Sequence, residues 1–427
     1  MRRAARRPLA RISPQLRTGT RALTVSAHTL EHPTPASLET HLSSLPCNST
    51  LLFTLSTSIQ SVDVGPLLSL LHSFPSSYSL PSSATVGSHS RRTHVVGSFY
   101  QSATHTPELA IAAFSPDVEE GERVRTFYCE ASGRAPASVG RWYRTDEPEW
   151  PEDERGDAVG ELEGVLGEKG WEGVWAARGD EAKIELGQDT QSIVVLTDGT
   201  PSPVLRALGA YKATTTGLVA AATPFLTGRP YTLFHGGQVY GGGSVGLGIT
   251  RPCSAGIEYG VEALDVPTKV AGARGNLLLS FDGRNPNPTQ CLIAALQARD
   301  GKGRSGITKD EEFYLAIMEP GSPTPRVVRI LSGDPSRGSI SLETEQPLYP
   351  GQFVQFMYRP TAPPPPQPLA DMLRFAVLPR TDELAPAPRT GEPVTRKGFI
   401  AASEGGFVHG REPAICTVAG AVLGVGW

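Results

Sequence analysis

Apolar residues in this chain come in short runs closed by glycine, proline or serine, as in Leu51-Leu52-Phe53-Thr54-Leu55 and Ser192-Ile193-Val194-Val195-Leu196-Thr197. Runs of this length suit buried strands better than amphipathic helices, which need ten or more periodic residues. The 46 glycines and 38 prolines supply turns between them. The order of elements is informative. Leu51–Ser56 reads as a strand, Pro66–Phe74 as a helix with leucines on one side, and Thr93–Phe99 and Glu108–Phe114 as two more strands. The same order returns as a strand at Ser192–Thr197, a helix at Pro203–Gly209 and a strand at Gly217–Ala222. A hairpin follows, from Tyr231–Phe234 through Gly236-Gly237 to Gly246–Ile249. The expectation is an α/β to α+β fold that is strand-rich and built of two modules, with a duplicated strand–helix–strand–strand unit in the first.

The first module spans 49–270 and the second 271–427. In the second, Asn276–Phe281, Phe313–Met318, Arg326–Leu331, Gly338–Leu342 and Gly351–Tyr358 read as strands, with Thr289 capping a helix from Gln290 to Arg299. Gly398–Ser403 is a last apolar stretch. The acidic segment 146–172 holds eleven acids against Arg155 and Lys169, and reads as a solvated insertion. The proline-rich loop 360–368 reads as an exposed spacer.

Residues 1–30 contain seven arginines and no acid, the first acid being Glu31. On a helical wheel Leu9, Ile12 and Leu16 oppose Arg3, Arg7 and Arg11. This is the mitochondrial transit-peptide pattern. Arg21-Ala22-Leu23 precedes a cleavage point before Thr24, and 24–48 reads as a flexible polar tail. The expected location is the mitochondrial matrix. Removing residues 1–23 takes the formal charge from −4 to −11, which disfavours nucleic acid as a partner. No apolar run is long enough to span a membrane as a helix. The five cysteines form no CxxC pair, and no His/Asp/Glu cluster has metal-ligand spacing, so neither a metal nor another cofactor is expected.

Candidate site residues lie in the second copy of the duplicated unit. Asp198-Gly199-Thr200 stands at the carboxyl end of a buried-type strand and before a helix, the place where open α/β sheets bind ligands. Free amides there and the Asp198 carboxylate suit a carboxylate or an amine; an ordinary Asp-Gly turn is the plainer reading. Thr215, within Thr214–Thr216, offers a hydroxyl to the same crevice. His235 beside Gly236 is the best single polar candidate, because imidazole titrates near neutral pH. Gly241-Gly242-Gly243 lacks the lysine and Ser/Thr of a phosphate loop. Cys253, after Pro252, and Cys291, near a helix start, have no histidine that spacing would pair with them.

Two regions together resemble the FIST family (F-box and intracellular signal transduction). The first runs from Val194-Val195-Leu196-Thr197-Asp198-Gly199 through Gly217-Leu218-Val219 to Thr232–Tyr240 and Gly243–Gly248, and is similar to the family's N-terminal module. The second is Asp310–Tyr358, with Val327-Val328-Arg329-Ile330 and Pro350–Phe356, and is similar to the C-terminal module. The chain departs from the family in carrying no F-box and no attached output domain, and Glu404–Gly410 matches the terminal segment only distantly. The resemblance implies a sensory module that binds a small ligand such as an amino acid, and it supplies no catalytic residues. Two other readings stand beside it: an enzyme using Cys253 or His235 on a small acyl or amino substrate, and a scaffold using 146–172.

Overall fold

The computed structural model describes residues 23–46, 49–59, 61–74, 95–102, 106–116, 122–130, 182–283, 286–300, 311–319, 324–334, 338–344, 346–360, 367–379 and 391–427. The arginine-rich segment 1–22, the acidic segment 146–172 and Pro363–Pro366 lie outside these residues. Strands hold 46% of the described residues and helices 15%, so the strand-rich expectation is met.

The duplicated unit is present, and it is larger than expected. In its first copy, β2 (Thr50–Ser56) runs parallel to β3 (Val95–Tyr100) across the helix Ser61–Ser73. On its other side β2 pairs antiparallel with β4 (Glu108–Ser115), which pairs antiparallel with β1 (Thr24–Glu31). The second copy repeats this. β6 (Ser192–Thr197) is parallel to β7 (Thr214–Val219) across the helix Ser202–Gly209. β6 also pairs antiparallel with β10 (Ser244–Ile249), and β10 with β5 (Val124–Cys129).

A third copy uses strands far apart in sequence. β19 (Leu373–Val377) is parallel to β21 (Phe399–Ser403) and antiparallel to β24 (Val422–Gly426), which pairs with β11 (Ser254–Glu258). The copies share a sequence trace. Val245-Gly246-Leu247-Gly248-Ile249 on β10 matches Leu423-Gly424-Val425-Gly426-Trp427 on β24. A Cβ at Gly246 would lie 2.7 Å from the Phe127 ring and 2.4 Å from the Val194 carbonyl oxygen, so this repeated glycine is a close-approach position.

The copies also exchange hairpins. β8 (Leu233–His235) and β9 (Gln238–Tyr240) form a hairpin between β7 and β10 in the chain, yet it extends the first sheet, where β8 pairs with β3. Likewise β22 (Phe407–Gly410) and β23 (Ala414–Cys416), which precede β24, extend the second sheet on β7. The expected hairpin is therefore corrected. The turn at Gly236-Gly237 joins Leu233–His235 to Gln238–Tyr240, and Gly246–Ile249 belongs to the neighbouring sheet. Both glycines have positive φ (58° and 84°), as a two-residue hairpin turn requires.

Strand alternation divides the side chains between two environments. On one face of the three sheets, Leu52, Val96, Val194, Leu196, Leu218, Leu247, Phe375, Phe399 and Leu423 meet in one central core. On the opposite face, Leu51, Phe53, Leu55 and Phe99 pack under the helices Pro35–Ser43 and Ser61–Ser73. Ile193 and Val195 do the same with Val204, Leu205 and Leu208 of Ser202–Gly209.

Between β11 and β19 the chain makes a closed antiparallel barrel. Its strands are β13 (Thr268–Arg274), β14 (Leu277–Phe281), β15 (Phe313–Met318), β16 (Arg326–Gly333), β17 (Ile340–Leu342) and β18 (Phe353–Tyr358). The pairing of β18 with β15 closes it, and β12 (Glu262–Ala263) adds to β18. The helix Pro288–Asp300 contributes Leu292 and Leu296 to the barrel core. Tyr314, Ala316 and Val327 point the other way, into the central core.

Three expectations need correction. Residues 24–48 were expected to be a flexible tail, but Thr24–Glu31 is a strand bonded on both sides, to β4 and to β20 (Val394–Lys397), and Pro35–Ser43 is a helix with a capping box at Thr34. The boundary at 270/271 does not divide the fold, because β20 closes on β1 and β22 on β7. Thr289 is not the helix cap. Asn287 accepts from the Gln290 amide at 2.9 Å, while the Thr289 hydroxyl donates to the Gly338 and Ser339 carbonyls.

Candidate functional site

The expected site residues fall in three places. Asp198 follows β6 and is 5% exposed. Its Oδ2 accepts from the Gly243 amide at 2.7 Å, and its Oδ1 from the Thr200 amide at 2.9 Å and the Thr200 hydroxyl at 3.2 Å. The carboxylate thus ties the exit of β6 to the glycine turn before β10. Gly199 is a close-approach position, since a Cβ there would lie 2.2 Å from the Tyr231 hydroxyl. Thr215 is fully buried on the opposite face of β7 from the central core, and its hydroxyl has no hydrogen-bond partner. It lies four residues before Val219, the partner of Thr197, which sets it roughly 13 Å from the Asp198 turn. His235 belongs to the first sheet, where its Nε2 lies 3.1 Å from the Thr126 hydroxyl. The structure gathers Asp198, Gly199 and Thr200 into one turn and leaves Thr215 and His235 elsewhere.

Cys253 and Cys291 are poor nucleophiles. Burial pushes the Cys253 thiol up to about 11 and raises Cys291 as well, so both are protonated at neutral pH. Among the described residues no group of three or more His, Cys, Asp or Glu could hold a metal ion.

A cleft of about 360 Å³ lies between the barrel strands β16 and β17 and the hairpin β22–β23. Four polar side chains on its wall carry its chemistry. Arg326 opens β16 and is 11% exposed; its Nε donates to Glu319 Oε1 at 2.8 Å and its Nη1 to the Thr344 hydroxyl at 2.9 Å. Glu343 follows β17, and its Oε2 accepts from the Thr417 hydroxyl at 3.0 Å. Thr417 stands just after β23. His409, on β22, is held down at about 4 chiefly by burial; Arg326 lowers it further and Glu319 opposes. Its imidazole is therefore neutral at pH 7, with one ring nitrogen donating and the other accepting. Val327, Leu342 and Ile415 supply apolar wall. A guanidinium, a carboxylate and a neutral imidazole in one partly apolar cleft match the usual make-up of a small-molecule site.

Sequence reasoning missed this cleft because its walls come from β16, β17, β22 and β23, which are distant in the chain. One signal was available. His409-Gly410 follows Phe407-Val408 as His235-Gly236 follows Leu233-Phe234, so the two histidines hold equivalent places in the repeat.

No known protein family, curated protein or solved structure matches this chain. No helix among the described residues is long and apolar enough to cross a membrane.

Proposed function

We propose that this protein binds a small polar metabolite of the amino-acid type, as a FIST-like sensory module of the mitochondrial matrix, and that the ligand occupies the cleft between the barrel and the β22–β23 hairpin. The observation that carries the reading is the presence of Arg326 and Glu343 on the walls of one cleft of about 360 Å³. Such a volume is at the small end of ligand pockets. A ligand carboxylate meets the guanidinium, an ammonium meets the Glu343 carboxylate, and neutral His409 adds a hydrogen bond without adding charge. The FIST resemblance of Val194–Gly248 and Asp310–Tyr358 supports ligand sensing, and the acid-free, arginine-rich start supports the address.

The test is a thermal-shift screen of the purified protein against amino acids and related metabolites, repeated with Arg326→Gln and His409→Gln. The reading expects stabilisation by at least one compound, lost in Arg326→Gln. A flat response at millimolar concentrations across the panel refutes it. The address is checked by fractionation and N-terminal sequencing. A matrix protein beginning at Thr24 is expected, and one beginning at Met1 overturns the proposed cleavage.

A further inference from the structure

The three copies can be superposed residue by residue from their registers. Gly97 opposes Phe234 and Gly217 opposes Val408, which aligns the first copy with the second. The repeated glycine pattern on β10 and β24 aligns the second with the third. In the second copy Leu196 is flanked by Val245 and Leu218; at the same place in the third, Phe375 is flanked by Leu423 and Ala401. These residues fill the central core. The first copy breaks the pattern. There Thr54 is flanked by Ala110 and Ser98.

Thr54 and Ser98 are both fully buried, and neither hydroxyl has a hydrogen-bond partner. They are register partners on adjacent parallel strands, so they share the face turned to the central core. An unsatisfied buried hydroxyl is destabilising, a penalty that an apolar residue like those of the other copies would avoid. The next row along the same face is Glu31, Glu108, Ser56 and Tyr100. The Tyr100 hydroxyl donates to Glu108 Oε2 at 2.5 Å, and the Arg396 guanidinium is held by Glu31 at 2.7 Å. Ser56 donates to the Thr106 carbonyl. Tyr100 is buried, while Glu108 and Glu31 are partly exposed, so this row stands between the buried hydroxyls and the sheet's partly exposed end.

We propose that the inner face of the first copy is a second binding site, distinct from the cleft, which takes the ammonium head of a small primary amine between the Glu108 carboxylate and the hydroxyls of Thr54 and Ser98. The class follows from the lining. A carboxylate and two hydroxyls offer acceptors to a head with three donors, and Ala110 is a smaller side chain than Val245 and Leu423, which stand at the same place in the other copies. Anions are disfavoured, because the row carries two carboxylates, Glu31 and Glu108, against the one guanidinium of Arg396, which Glu31 holds. Burial raises the Glu108 carboxyl above its ordinary range, so the amine binds more tightly as the pH is raised from acid toward neutral.

The full chain is titrated calorimetrically with methylammonium and ethanolamine chloride, with sodium propionate as control. The wild type is expected to bind the amines and not propionate. Thr54→Val/Ser98→Ala and Glu108→Gln each weaken binding at least tenfold, whereas Thr54→Ser and the cleft variant Glu343→Gln retain it. Without ligand, the double variant melts no lower than wild type, which separates a ligand role from a structural one. Should the double variant fail to fold, Glu108→Gln and Thr54→Ser carry the same comparison. The proposal is overturned if the folded wild type binds no amine, if Glu108→Gln or the double variant binds undiminished, or if Glu343→Gln abolishes binding and so moves the amine to the cleft. That last result leaves the cleft reading standing, and failure of the metabolite screen leaves this site untouched.

Discussion

His409 occupies in the second sheet the place that His235 occupies in the first: His235 opposes Val96 on β3, His409 opposes Thr216 on β7, and each precedes a glycine of positive φ. The two rings differ only in what the next element brings to them. His235 meets the Thr126 hydroxyl, and His409 lines the barrel cleft. One repeat position thus serves as a packing contact in one copy and a candidate ligand contact in the other.

Two histidines make stability depend on pH. His409 and His41 are each held near 4 by burial, His28 adding to the effect at His41. An unfolded histidine takes its proton near 6.5, so the unfolded chain binds more protons between that pH and 4. Stability from these residues is complete above about 6.5, falls as the pH drops toward 4, and changes no further below. The loss is on the order of 3 kcal/mol for each ring. Denaturant melts across this range check it, and His41→Phe with His409→Gln makes the profile shallower.

Asp198 acts as a clamp. Replacing it with alanine leaves the Gly243 and Thr200 amides without their partner, at a cost of about 2–3 kcal/mol. Ligand-induced stabilisation at the cleft persists in Asp198→Ala. Loss of the ligand response in a folded Asp198→Ala protein returns the binding site to the crevice first expected from sequence.

Phe53 is fully enclosed between β2 and the helix layer, 5.3 Å from the Phe234 ring centroid. Phe53→Ala costs about 3–5 kcal/mol, read as a lowered urea midpoint. Its contact with Phe234 joins the first copy to the hairpin supplied by the second, so the variant also speeds proteolysis at that hairpin.

Asn287 caps the barrel helix through the Gln290 amide. Asn287→Ala costs about 1 kcal/mol, and Asn287→Asp is near neutral. Calorimetric melting separates the two.

The first two copies of the repeat were legible because Leu51–Ser56 and Ser192–Thr197 are apolar runs with a helix and a parallel partner following in order. β1 was missed because Thr24–Glu31 mixes Thr, Ser and His with its apolar residues; its pairing to β4 and β20 makes it a strand, and no local signal does. The third copy was hidden by the barrel, which separates β11 from β19 by more than a hundred residues. Asp198, Gly199 and Thr200 were expected as ligand contacts, with an Asp-Gly turn as the plainer reading, and they form that turn after β6. The cleft was not legible, since Arg326 and His409 meet only through tertiary packing.

The exchanged hairpins set an order on assembly. β3 gains its outer neighbour only when residues 233–240 are present, and β7 only when 407–416 are. A chain entering a compartment amino end first therefore shows an unsatisfied sheet edge at every intermediate length. The first copy waits on the second, and the second waits on nearly the last residues. Such long-range closure slows folding and leaves those edges open to pairing with other chains meanwhile. Deleting residues 407–416 would reach back through this dependency and expose β7, so that hairpin acts as a seal on a strand made nearly two hundred residues earlier.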